Sequence, residues 1–282
     1  MKDINFTIGT DPEFFVKDVF TDKIVSAAGI FSCTKKNPLS QWKGDNKSGT
    51  YGTFLISTDN VAMEIAAPYQ STLNRFQASV RMSKEILQQF IKGRNLELVL
   101  NKNSHMFNTE DLMHPDAQVF GCDPDFCVYT LKYKRPPSSK VLDKKGLSNL
   151  RTVGAHIHIG WKEKNYKIDK IILGRILDHQ IGLWSIPYDP PFPRRVLYGR
   201  AGSIRLKTYG IEYRTPGNFW VSSNDMVKEI YERVKASLLI ANDKKSKEYK
   251  EILENMKDTR MRVDGREDLL RKNENENIRI PA

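Results

Sequence analysis

The sequence predicts an α+β fold: one curved, mainly antiparallel sheet whose concave face is polar and whose convex face is covered by helices. Three observations carry this. The stretch Gly154-Ala-His-Ile-His-Ile-Gly160 sets His156 and His158 on one side and Ala155, Ile157 and Ile159 on the other, because strand side chains alternate. The stretch Ser203 to Arg214 does the same twice: Arg205 and Lys207 are backed by Ile204 and Leu206, and Glu212 and Arg214 by Ile211 and Tyr213. Between the strand-like stretches lie segments with helical spacing, such as Leu73, Phe76, Val80, Leu87 and Phe90.

Taken in order, Phe6 to Val16 and Lys23 to Phe31 form a strand unit, and Ser32 to Thr53 is a loop rich in Lys, Gly, Asn and Ser. Phe54 to Ala67 is one strand stopped by Pro68. Ser71 caps a helix to Lys92, with Gly93 as its stop. Leu96 to Leu100 and Val119 to Leu131 are strands. Lys132 to Arg151 is a mobile basic loop, marked by Pro136, Pro137 and Gly146. After the histidine strand, Ile168 to Trp184 is helical, and Pro187 to Pro193 is a rigid turn. Ser222 or Ser223 caps a helix to Ile240. The rest is charged, and one exposed helix and a frayed tail are expected there. The expected division is residues 1–241 as the working domain and 242–282 as the charged helix and tail.

The chain has 282 residues, 39% hydrophobic and 28% charged, which suits a globular protein rather than a disordered one. No apolar run approaches a membrane span, and Met1 to Phe6 lacks a signal-peptide core, so a cytoplasmic location is expected. The three cysteines suggest neither a disulfide nor a thiolate zinc site, since Cys122 and Cys127 fall on opposite strand faces. The net charge of +11 fits nucleic acid or an anionic substrate. No aromatic-interleaved basic stripe is seen, so nucleic acid is the less favoured partner.

A face of imidazoles, carboxylates and guanidiniums cannot be a dry core, because unpaired buried charge is too costly. Upstream strands extend it. Asp11 and Glu13 share a face, opposed by Phe14 and Val16, and Glu64 stands beside the small Ala62 and Ala66. Gly9-Thr-Asp-Pro-Glu-Phe is echoed by Gly121-Cys-Asp-Pro-Asp-Phe, which reads either as two strands built alike, with Asp123 and Asp125 a second carboxylate pair, or as two independent Asp-Pro turn starts. Singly, each pattern is ordinary: strand histidines are often half-exposed, and Glu-x-Arg is usually a surface ion pair. Together, carboxylates with a histidine suit hard divalent ions, and arginines among them suit phosphate.

In chain order, Gly-Thr-Asp-Pro-Glu-Phe-Phe, an isolated strand glutamate, Gly-Ala-His-Ile-His, Ser-Ile-Arg and Ile-Glu-Tyr-Arg-Thr-Pro resemble the glutamine synthetase and glutamate–cysteine ligase superfamily of carboxylate–amine ligases. Asp59-Asn-Val-Ala-Met-Glu, Arg195-Val-Leu-Tyr-Gly-Arg-Ala-Gly-Ser-Ile-Arg and Tyr209 to Trp220 look closer still to the type 2 carboxylate–amine ligases of bacteriophages. The resemblance covers about residues 5–222. It implies a glutamine synthetase-like catalytic domain and, if phage-encoded, a host-cytoplasm location. It implies metal ligands at Asp11, Glu13, Glu64, His156 and Glu212. His158, Arg205 and, more weakly, Arg195 and Arg200 would stand near nucleotide phosphates. Arg205, Glu212 and Arg214 would carry the chemistry. The cofactors implied are ATP and Mg2+, with Mn2+ as a substitute.

Asp11 replaces a glutamate of glutamine synthetase, shortening one ligand arm. No β-grasp domain is expected ahead of it, so a ring with shared sites is not implied. The activity implied is ATP-dependent amide formation through an acyl phosphate, from a small-molecule or peptide carboxylate and an amine. The segments 32–53 and 132–150 are expected to be lids that exclude water. The rival expectation is a metal-dependent nuclease or phosphodiesterase, with a non-enzymatic nucleic-acid-binding or virion protein behind it.

Overall fold

A computed structural model describes residues 4–118, 125–134, 142–162 and 166–265. Its strands are β1 (Phe6–Asp18), β2 (Ile24–Val25), β3 (Leu39–Asp45), β4 (Thr50–Asp59), β5 (Ala62–Ala66), β6 (Leu96–Val99), β7 (Ser104–Met106), β8 (Asp125–Cys127), β9 (Lys132–Lys134), β10 (Leu150–Thr152), β11 (Ala155–Trp161), β12 (Ser203–Lys207) and β13 (Gly210–Tyr213). The longer helices are α1 (Leu73–Lys92), α2 (Lys170–Leu177), α3 (Asn224–Asn242), α4 (Lys247–Glu254) and α5 (Met256–Val263).

The main sheet runs β3-β4-β5-β1-β11-β13-β12-β8-β9, with β2 and β6 added to β1. Its described ladders are antiparallel. The fold is therefore α+β, as the alternating strands require. Ile8 and Phe14 of β1, Met63 and Ile65 of β5, Ile157 and Ile159 of β11 and Ile211 of β13 pack with Phe76, Leu173, Ile176, Ile230 and Val234 of the helices. Fully burying such a side chain contributes about 1.5–3 kcal/mol. On the opposite face, Phe15, Val61, Ala62, Phe107, Leu112 and Val153 make a smaller cluster. It lies beside the β7–β10 ribbon, and the remainder of that face holds the charged groups.

Several elements differ from their expected form. The stretch 54–67 is a hairpin, not one strand: it turns at Asn60 and Val61, and Asn60 takes φ 58°, a left-handed value asparagine tolerates. The segment 32–53 contains β3 and the start of β4, paired from Leu39↔Ile56 to Asp45↔Thr50. β3 is exposed along most of its length, so its sequence carries no apolar alternation to betray it. Of Lys23 to Phe31, only Ile24–Val25 is a strand. Helix α1 starts after Thr72, not Ser71, without a side-chain cap. Leu142, Leu147 and Leu150 pack with Leu197, which docks the end of the segment expected to be a mobile basic loop. Residues 119–124, including Cys122 and Asp123, and residues 135–141 lie outside the described ones.

The helix expected over 168–184 has a π-turn at Asp178–Gly182 between α2 and Leu183–Ser185. Ser223 does cap α3, accepting from Met226 N. Among the described residues beyond 242 there are two helices rather than one exposed helix. They are docked through Ile252 and Val263, which are 3% and 0% exposed. Among the described residues, no helix is long and apolar enough to cross a membrane.

Candidate active site

Strand register assembles the charged face. Glu13 of β1 pairs with Glu64 of β5, Asp11 of β1 with His156 of β11, His158 with Glu212 of β13, and Glu212 with Arg205 of β12. Gly210 opens β13 at φ 154°, and a Cβ there would lie 2.1 Å from Ile159 O, so only glycine permits this approach to β11. Asn218 donates from Nδ2 to Glu13 O at 2.9 Å, and Trp220 Nε1 donates to Ala155 O at 3.2 Å. The Gly217-Asn-Phe-Trp220 run thus braces the strands behind the face.

At one end, ligand atoms of Glu13, Asp59 and Glu64 all lie within 4.8 Å of one another. Glu13 Oε2 accepts from Gly154 N at 2.8 Å. Lys35 Nζ stands 2.6 Å from Asp59 Oδ2 and 2.8 Å from Glu64 Oε2. Burial pushes the Glu64 carboxyl well above the usual range, with Asp11, Asp59 and Glu13 adding to it and Lys35 opposing. Burial also raises Glu13, against the pull of His156.

At the other end, Glu212 faces Arg214 Nη1 in a close ion pair, Arg205 Nη1 at 3.4 Å and Lys207 Nζ at 2.9 Å. Arg214 Nε is held by Asp125 Oδ1 at 2.8 Å. Burial acts against the Glu212 charge, but His156 and Arg214 outweigh it, and its carboxyl falls to about 2.

Asp11 lies between the two ends. Its Oδ1 meets His156 Nδ1 at 3.1 Å and its Oδ2 meets His158 Nε2 at 3.2 Å. Burial would raise Asp11, but the two imidazoles outweigh it and hold it well below the usual range. Burial lowers His158, yet the Asp11 charge outweighs it and the net shift is upward. Tyr209 OH lies 2.7 Å from His158 Nδ1. Nδ1 accepts from Tyr209 in the neutral ring and donates to it in the charged one, so the contact fixes the ring in either state.

Two cavities open from this face. One of about 950 Å³ is lined by Thr7, Gly9, Asp11, Tyr69, His158, Trp161, Lys162, Tyr209, Tyr231 and Lys235, among others. The second, about 50 Å³, sits among Glu13, Asp59, Asn60, Gly154, His156, Tyr198 and Arg214.

Of the residues expected at the site, Asp11, Glu13, Glu64, His156, His158, Arg205, Glu212 and Arg214 are brought together. Arg195 and Arg200 are engaged elsewhere. Arg195 is 4% exposed and donates to Ser185 Oγ at 2.8 Å and to Val263 O. Arg200 donates to Arg195 O at 3.3 Å and Val196 O at 2.8 Å. Asp59, Lys35, Lys207 and Tyr209 were not singled out for the site from sequence. Asp59 belongs to the Asp59-Asn-Val-Ala-Met-Glu motif, and the turn after it, which a continuous strand would lack, folds it back beside Glu64. Lys207 shared the Arg205 face in the sequence pattern. Lys35 carried no local signal.

Residues 148–278 match the Phage phiEco32-like COOH.NH2 ligase-type 2 family. The matched stretch holds the histidine strand, Arg205, Glu212 and Arg214 and extends over α4 and α5. No curated protein matches the chain. Similar solved structures include apo GmaS, at 12% identity over 84% of this chain and 55% of that one, with a TM-score of 0.43. A Plasmodium falciparum glutamine synthetase aligns at 11% identity over 82% of this chain and 52% of that one, with a TM-score of 0.36. A glutamine synthase homolog aligns at 10% identity over 95% and 67%, with a TM-score of 0.34. The chain spans about half the length of the first two.

Proposed function

We propose that the protein is an ATP-dependent carboxylate–amine ligase that forms an amide through an acyl phosphate. The observation that carries the reading is the join between cavity and charged face: Asp11 and His158 line the 950 Å³ cleft and also belong to the charged row. That volume falls within the range of small-molecule and cofactor sites, about 300–1,000 Å³. Tyr69, Trp161, Tyr209 and Tyr231 offer aromatic surface for a base, and Lys162 and Lys235 offer positive charge.

The donor set fits divalent ions such as Mg2+ or Mn2+. Asp11 Oδ1 and Glu64 Oε2 are buried, and among the described residues they face His156 Nδ1 at 3.1 Å and Lys35 Nζ at 2.8 Å. Glu13, Asp59 and Glu64 would hold one ion, and Asp11, His158 and Glu212 another, with His158 in the ligand place expected for His156. Bound there, the ions would offset charge on the phosphates and on the acid.

The chain's own groups do the rest. Arg205 and Lys207 orient the transferring phosphoryl group, and Arg214 holds Glu212 in place. An oxygen of the acid substrate attacks the γ-phosphorus and ADP leaves with the electron pair of the broken P–O bond. The amine then attacks the acyl carbon, phosphate departs, and the amine loses a proton. Water must be kept out meanwhile, since it would hydrolyse the acyl phosphate.

The test is ADP release from ATP and Mg2+ across a panel of acids and amines, with hydroxylamine as a trap. An acid-dependent hydroxamate is expected. Mg2+-dependent DNA cleavage without any acid-stimulated ADP release would replace this reading with the nuclease one.

A further inference from the structure

Lys35 reaches the carboxylate end of the site from the segment between β2 and β3. Its Nζ touches one oxygen of Asp59 and one of Glu64, at 2.6 and 2.8 Å. Those residues and Glu13 are the trio whose ligand atoms cluster within 4.8 Å. An ammonium there answers the same electrostatic demand as a divalent ion, with half the charge. The side chains of Asp59 and Glu64 are enclosed, at 18% and 11% exposure, while Lys35 keeps 41%. Its stem therefore leads outward.

The backbone is anchored just before it. Cys33 O accepts from Thr58 N at 2.9 Å and from Thr58 Oγ1 at 2.7 Å. Thr34 bridges to Thr58 and to Asn37. Thr58 is the immediate neighbour of Asp59, so the anchor sets the lysine beside its partners. A flexible four-carbon stem can still swing without breaking that anchor.

We propose that Lys35 is a tethered counter-ion that occupies the cation position of the Glu13–Asp59–Glu64 cluster and is expelled when a divalent ion takes that position. This rests on the metal reading given above. Two cations bonded to the same oxygens in a poorly solvated pocket repel strongly, so one must leave. With neither present, three neighbouring carboxylates would repel one another. The lysine thus holds the metal-free site together and is removed by the ion the site is built for.

The experiment uses the unmodified full chain. Lysines are acetylated with a water-soluble N-hydroxysuccinimide ester, with and without Mn2+, and acetylation is read by peptide mass spectrometry. The exposed Lys247, 90% exposed at its side chain, serves as the internal standard. Mn2+ binding is followed in parallel by calorimetry, on the wild type and on Asp59→Asn.

Lys35 acetylation is expected to rise about fivefold or more at saturating Mn2+, relative to Lys247, as an ion-paired ammonium is released to solvent. Lys35→Met is expected to bind Mn2+ about tenfold tighter, having lost its internal competitor. Mn2+ binding that needs Asp59 but leaves Lys35 acetylation unchanged or slower overturns the displacement and spares the metal reading. Mn2+ binding that is absent, or indifferent to Asp59→Asn, overturns both.

Discussion

Glu64 and Glu212 are buried glutamates on the polar face of one sheet, and their surroundings drive them in opposite directions. Glu212 meets Arg205, Lys207 and Arg214, and its carboxyl falls to about 2 because His156 and Arg214 outweigh its burial. Glu64 shares its space with Glu13 and Asp59 and meets Lys35, and its carboxyl rises well above the usual range. Burial opposes charge in both cases, so the count of neighbouring cations decides. On the proposed reading the difference separates two tasks. The guanidinium and ammonium groups of the cation-rich end would meet phosphate oxygens as well as Glu212. The carboxylate trio of the cation-poor end, where Lys35 pairs with Asp59 and Glu64, would depend more on a bound ion.

The largest effect is expected from breaking the cation-rich end. Arg214→Met would leave Glu212 and Asp125 without their close partner in a buried setting. Loss of about 3–5 kcal/mol is expected, read by urea unfolding. Arg205→Lys is milder in structure and sharper in chemistry, because a guanidinium fork fits phosphate better than an ammonium. Turnover should fall about 100-fold while ATP affinity moves only a few-fold, by steady-state kinetics and calorimetry.

The pH dependence separates the two glutamates. Glu212 titrates at about 2 in the fold against 4.5 ordinarily, a gap of about 3 kcal/mol. That stability is fully present above pH 4.5 and is lost as pH falls through about 2, so Glu212→Gln should remove this part of the acid slope in metal-free protein. Glu64 has the opposite sign. Its carboxyl is raised, so its contribution falls as pH climbs from 4.5 through its folded value. Glu64→Gln should make metal-free protein slightly more stable at neutral pH, the smallest effect of the series, seen as a higher unfolding midpoint.

The sequence exposed the cation-rich end more fully than the other. Two-residue alternation in Ser203 to Arg214 announces both the strands and the face that Arg205, Glu212 and Arg214 occupy, since strand parity is local. The carboxylate end depends on a turn. Asp59-Asn60 is a two-residue turn signal inside a long strand-like run, and the left-handed Asn60 folds Asp59 back over Glu64. Lys35 is set by the Cys33–Thr58 and Thr34–Thr58 contacts across separate segments, which no local pattern records. The docking of α4 and α5 was hidden for a different reason. A few buried side chains, chiefly Ile252 and Val263, hold helices that are otherwise charged. Arg195 and Arg200 looked like phosphate ligands because residue type is visible in sequence while hydrogen-bond partners are not.

The most direct test of the division of labour is Mn2+ affinity, measured by electron paramagnetic resonance for Asp59→Asn and Arg205→Lys beside the wild type. Asp59→Asn should weaken Mn2+ about 10- to 100-fold, while Arg205→Lys leaves it within about threefold, since only the first removes a carboxylate from the cation-poor trio. Equal loss in both variants, or Mn2+ affinity unaffected by Asp59→Asn, would contradict the account.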